Sequence, residues 1–218
     1  MAKKKPITQT DIIELYMDHV LTHNEKPNSV YAFAKANNFN EQIFYEFFSS
    51  FEILEQCIFK VFFDHTIAVI DKSEDYHSFD SQNKLLSFYY TFFAMLTSNR
   101  SYIVYALEHN KDRMKSLKML SKLKVSFSNY IAHLNIKTID VQQEQVTRFQ
   151  NRSLKESAWL QLLVTLKFWL DDTTTSFEKT DLFIEKSVKA SFDLIDTTPL
   201  KSLIDFGKFL YKEKMHAN

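Results

Sequence analysis

The chain has 218 residues, enough for one large domain or a small head joined to a larger body, and its 27 basic residues balance its 27 acidic ones. A single Gly and three Pro, against usual shares of about 7% and 5%, are too few for a strand- and turn-rich architecture, so an all-α fold of long helices joined by short polar loops is expected. One cysteine, Cys57, excludes an internal disulfide framework and a cysteine-rich zinc site.

The basic start MAKKK has no apolar core of signal-peptide length behind it, and no run approaches the roughly 20 apolar residues of a transmembrane segment, so a cytoplasmic location is expected. Thr8 or Thr10 can cap a first helix whose apolar positions Ile12, Ile13, Tyr16, Met17 and Val20 recur at helical spacing. Asn28 or Ser29 caps a second, short helix through Ala36. Asn37 and Asn38 suit a tight turn, because Asn tolerates the left-handed backbone, and Asn40 can cap a third helix from Glu41 to Phe48. Two short helices about such a turn form a helix-turn-helix. A longer helix follows from Phe51 to about Asp71, then a polar break from Lys72 to Asp80.

The segment KLLSFYYTFFAML, Lys84 to Leu96, is apolar almost all round and belongs inside a larger body. Helices are expected at Tyr102 to Glu108 and Arg113 to Leu134, with Asn135 to Asn151 polar and unassigned. Leu154 to Leu170 lacks a clean polar face, Phe177 to Ile195 keeps Ile184, Val188 and Phe192 in register, and Thr198 with Pro199 opens a last helix to about Lys212.

Few residues suggest chemistry. His19 and His23 have a spacing that can bind metal, but no Glu companion or Cys cluster supports them, so no metal or other cofactor is expected. One glycine, Gly207, rules out a Gly-rich phosphate loop, and no nucleophile elbow exists; the adjacent Asp171 and Asp172 read as a turn. No enzyme is expected. Lys111, Lys115, Lys118 and Lys122 recur at helical spacing and, with Arg113 and Lys124, make a basic stretch opposed only by Asp112. A solvated face or contact with an acidic surface, anionic membrane or nucleic acid would each account for it.

At Phe33-Ala34, Asn38-Phe39-Asn40, Phe44-Tyr45, Phe47-Phe48 and Ser50-Phe51-Glu52-Ile53-Leu54, the sequence resembles the TetR family of bacterial transcriptional regulators. The head of that family runs as a hydrophobic-Ala pair, a Gly-hydrophobic-Ser turn, a hydrophobic-Tyr pair, an aromatic-Phe pair and Ser-Lys-Glu-x-Leu, and the register here holds without a gap. The resemblance implies a helix-turn-helix head over residues 1–54, a helical ligand-binding and dimerisation body over 55–218, a homodimer, duplex DNA as partner and an apolar small molecule as ligand. A ligand site would draw on Phe88, Phe92, Met95, Tyr102, Tyr105, Trp159 and Phe168, although an ordinary aromatic core uses the same residues. The dimer bundle would use Leu163, Leu166, Leu170, Ile184 and Val188 from the Trp159 to Leu170 and Phe183 to Ile195 segments. More locally, Phe168 to Val188 resembles the lipid-binding proteins of ubiquinone biosynthesis, which share the TetR-type fold without being repressors. A lipid is therefore an alternative ligand.

The DNA expectation conflicts with the charges. Between Thr8 and His65 three lysines face nine carboxylates, a formal balance of −6, whereas DNA affinity leans on phosphate neutralisation. Phe51 stands where the family has a phosphate-contacting Lys, and Gln42 where a small Gly lets the helix approach closely. Candidate DNA contacts reduce to Asn40, Gln42 and Tyr45 near the third helix and a basic arm, Lys3, Lys4 and Lys5.

Overall fold

The capping signals at the start of the chain act as the sequence predicts. Thr8 accepts a hydrogen bond from the Asp11 amide at 3.2 Å and its own amide donates to the Asp11 carboxylate at 2.7 Å, a reciprocal box that opens α1, Gln9–His23. Ser29 and Asn40 cap α2, Val30–Ala36, and α3, Glu41–Phe47, and Asn38 between them takes a left-handed φ of 57°. Helix α4 then runs over Phe51–Ile70. This computed structural model describes residues 6–108, 113–136 and 144–196; the expected last helix, Lys111 and the Lys3 to Lys5 arm lie outside them.

The later elements are α5, Glu74–Ser78; α6, Ser81–Ser98; α7, Arg100–Glu108; α8, Arg113–Met119; α9, Ser121–His133; α10, Glu144–Asp171; and α11, Glu178–Asp196. All the described regular structure is helical, and no described helix is long and apolar enough to cross a membrane. Three elements depart from expectation. The polar break contains α5, whose Tyr76 is buried. The expected long helix from Arg113 divides at Leu120, and α10 begins ten residues before the expected Leu154, within a polar stretch.

The chain packs as two compact units. One comprises the residues up to Ile67 together with Phe92–Ser126, the other Ala68–Thr91 with the residues from Phe127 on. In the first, Phe33 is the hub of an aromatic cluster, with Tyr16, Phe39, Phe44 and Phe51 rings centred 5.7–6.4 Å away. Each such pair contributes roughly 0.5–1.5 kcal/mol beyond area burial, so the short helices α2 and α3 are fixed by tertiary contacts rather than by propensity.

In the second unit, Phe88 packs on Phe127 and Tyr130 at 5.3 and 5.0 Å, joining the start of α6 to the end of α9. Tyr130 donates to the Lys84 carbonyl at 2.9 Å, which leaves its oxygen to accept from Tyr76 at 3.0 Å. Helices α10 and α11 pair through stacked Phe168 and Phe183, 4.5 Å apart, and through Gln161, which donates to Ser187 at 3.3 Å and accepts from Ser191 at 3.0 Å.

Candidate functional site

The head presents α3 to solvent. Glu41, Gln42, Tyr45 and Glu46 are all exposed, at the i, i+1, i+4, i+5 spacing of one helical face, while Phe44 and Phe48 turn into the core. Phe47 is 38% exposed. Asn40 is committed to its own helix, its side chain accepting from the Gln42 amide at 2.9 Å. Phe51 stacks on Tyr16 at 5.4 Å and meets Phe44 at 5.2 Å. It replaces a phosphate contact with a piece of the aromatic core.

The three lysines between Thr8 and His65 are all engaged. Lys26 reaches both carboxylate oxygens of Glu55, at 2.7 and 2.8 Å; Lys60 pairs with Asp64 at 2.5 Å; and Lys35 lies over the Tyr31 ring, 5.8 Å from its centroid. Glu55 is only 3% exposed and also accepts from the Tyr16 hydroxyl at 2.6 Å. Burial first, and the Glu55 charge second, push the Tyr16 pKa far up, so its hydroxyl stays a donor. At the end of α1, His19 and His23 stack with ring centroids 4.3 Å apart, and desolvation, then His23, lowers the His19 pKa.

A cleft of about 380 Å³ lies between α1 and α7, lined by Val20, Leu21, Asn24, Ser101, Val104, Tyr105 and Glu108. It is an open cleft whose apolar Val20, Leu21 and Val104 are matched by the polar Asn24, Ser101, Tyr105 and Glu108. Of the expected ligand residues only Tyr105 lines it. Phe88, Phe92 and Tyr102 are core side chains at 1% exposure or less, and Trp159 is buried at 8%. Met95 is half-buried, as is Phe168, which stacks on Phe183. The expected set is also divided between units, with Phe88, Trp159 and Phe168 in the second and the others in the first. The lining residues the sequence reading missed have a signal, since 20, 21, 24 and 101, 104, 105, 108 each mark one helical face.

The residues expected at a dimer interface are differently disposed. Leu166, Ile184 and Val188 are core residues of a single chain, at 5% exposure or less, and Leu163 and Leu170 are half-buried. The apolar side chains that do reach solvent on these helices are Leu160 and Val164 on α10 and Leu182 and Leu194 on α11, between 47% and 62% exposed. Leu160, Val164 and Phe168 follow one another at i, i+4, i+8, and Phe168 continues through its stacking partner Phe183 onto α11.

The corner between these helices is built on Asp172. Its buried carboxylate accepts from the amides and hydroxyls of both Thr174 and Thr180, at 2.6–2.9 Å, while Asp171 pairs with Lys167 one turn back. The two adjacent carboxylates thus form a turn, as the sequence predicts.

No curated protein matches the chain significantly. Residues 84–210, more than half of it, match the family described as tetracyclin repressor-like, C-terminal domain. With all the described regular structure helical, the chain belongs to the TetR family.

Proposed function

We propose that the protein is a ligand-responsive TetR-type regulator that works as a homodimer in the cytoplasm. The observation that carries the ligand half is the α1–α7 cleft, whose volume falls in the usual range for small-molecule sites and whose walls come from a head helix and a body helix. A small molecule with an apolar part and a polar or cationic end suits a lining that combines Val20, Leu21 and Val104 with Glu108. Filling the cleft favours one arrangement of α1 against α7, and α1 carries the head through Tyr16 and Phe33, which is how occupancy would reach the output end. The exposed apolar stripe on α10 and α11 is the face offered to a second copy.

A second reading concerns that output, and the charges favour it. With −6 over Thr8 to His65, every lysine there already engaged and Phe51 in place of a basic residue, phosphate neutralisation by the head falls to the Lys3 to Lys5 arm alone. The protein is then a hydrophobic-ligand or lipid-binding member of the fold that leaves duplex DNA alone. Titration of random duplex DNA with the full-length protein separates the two. A repressor-type head binds at about 20 mM salt and loses affinity steeply as salt rises, whereas no binding at that ionic strength ends the DNA reading. A lipid co-purifying in native mass spectrometry supports the second reading, and a protein that purifies without one counts against its lipid form.

A further inference from the structure

The basic stretch that the sequence places on one continuous helix is split at Leu120, and the split changes what it presents. Lys122 turns onto Cys57, its ammonium donating to the sulfur at 2.9 Å. Lys115 and Lys118 remain exposed on the short helix α8, whose sequence RMKSLKM contains no acidic residue. The helix is fixed from behind: the Ser116 hydroxyl donates to the Leu107 carbonyl at 3.0 Å, and Met119 and Leu120 are buried at 6% and 2%.

At about 100° per residue, Leu117, Met114, Lys118 and Lys115 span an arc of about 160° opposite Ser116 and Met119. Met114 is 73% exposed and Leu117 47%. Two apolar side chains beside two lysines, on a helix anchored from behind, make a small basic amphipathic face that reaches solvent.

We propose that this face of α8 docks the protein reversibly on an anionic lipid surface. The chemistry of the four side chains selects that partner. Met114 and Leu117 can enter below the headgroups while Lys115 and Lys118 meet lipid phosphates and carboxylates, the division of labour of an interfacial basic helix. Duplex DNA satisfies the lysines but gives two aliphatic side chains on a convex helix nothing to bury against. Among the described residues Glu52 feels Lys118, its carboxyl pKa being lowered first by a Ser50 hydrogen bond and only in small part by that lysine. A face only seven residues long gives shallow, salt-sensitive attachment rather than insertion.

Co-sedimentation of the full-length protein with vesicles of phosphatidylcholine alone, or of phosphatidylcholine with phosphatidylserine, tests this. The serine-lipid vesicles are expected to pellet the protein, with binding falling about tenfold between low and high salt. The charge-reversed pair Lys115→Glu with Lys118→Glu should abolish pelleting, and the charge-neutral pair Met114→Gln with Leu117→Gln should weaken it about tenfold. All four positions are exposed, so both variants should unfold at the wild-type temperature; if a pair does not, Leu117→Gln alone carries the test. Failure to pellet with either vesicle overturns the proposal, as does equal pelleting with both. Loss on charge reversal with full binding retained by the glutamine pair also overturns it, and identifies a charge-only surface for a polyanion such as DNA.

Discussion

At position 172 a carboxylate holds a strained corner. Ser176 and Phe177, neither of them Gly, adopt φ of 56° and 61°, a backbone region that costs roughly 1–2 kcal/mol per residue. Four hydrogen bonds from Thr174 and Thr180 converge on Asp172 and hold the turn in place. Burial alone would raise the Asp172 pKa; the bonds overcome it and set the folded value below the ordinary 3.8. A depressed carboxylate stabilises the fold above its unfolded pKa, and that contribution is lost as pH falls through the lower folded value. Asp172→Asn is therefore expected to cost about 1–2 kcal/mol near neutral pH, a fall of roughly 2–8 °C in Tm, and the gap to wild type should close as the pH is taken well below 4. Thermal unfolding followed across pH checks both; a constant gap down to strong acid would remove the carboxylate from the account. The sequence marks the turn but not its strain, since no Gly or Asn signals a left-handed backbone at Ser176 and Phe177. The caps at Thr8, Ser29 and Asn40 were legible because their donors lie within three residues.

Among elements, α1 and α4 are tied by a polar contact inside an aromatic shell. Tyr16 donates to Glu55 across 39 positions of sequence, which no local pattern announces, and both groups are buried. Tyr16→Phe keeps the ring stacked on Phe51 but leaves a buried carboxylate oxygen short of a donor, at a cost of about 1–3 kcal/mol. A double-mutant cycle of Tyr16→Phe with Glu55→Ala, followed by chemical denaturation, should give a coupling of roughly 1 kcal/mol or more; a coupling near zero would mean that the helices are joined by the aromatic cluster alone. Helix ends show the same division between local and distant causes. Helix α5 hid in a polar break because one residue, Tyr76, anchors it through Tyr130, and the first ten residues of α10, EQVTRFQNRS, hold two apolar residues, too few for periodicity to mark them. The division at Leu120 likewise answers to burial of Met119 and Leu120, and it dispersed a lysine stripe that spacing alone had aligned.

For the whole molecule, helical content and family register were legible because both are repeated many times along the chain, while the facing of individual helices was not. Helix α10 is apolar on two sides, and sequence cannot say which side is the core; the inward side is Leu162, Leu166 and Trp169, leaving Leu160 and Val164 outside. The proposed homodimer consequently uses the stripe of Leu160, Val164 and Phe168 with Phe183 and Leu194, rotated from the residues that spacing suggested. A two-fold interface is self-complementary, so each substitution enters it twice. Val164→Glu places two carboxylates in an apolar contact, where an unpaired buried charge costs several kcal/mol, against little effect on the single chain because Val164 is 47% exposed. Light scattering behind size exclusion should report a dimer for the wild type and a monomer for Val164→Glu at the same micromolar concentration, with Leu166→Ala instead destabilising the chain by about 2–5 kcal/mol as a core cavity does. A wild-type monomer, or a variant that stays dimeric, would remove this stripe as the seam. The regulatory reading would then need another way to hold two heads in register.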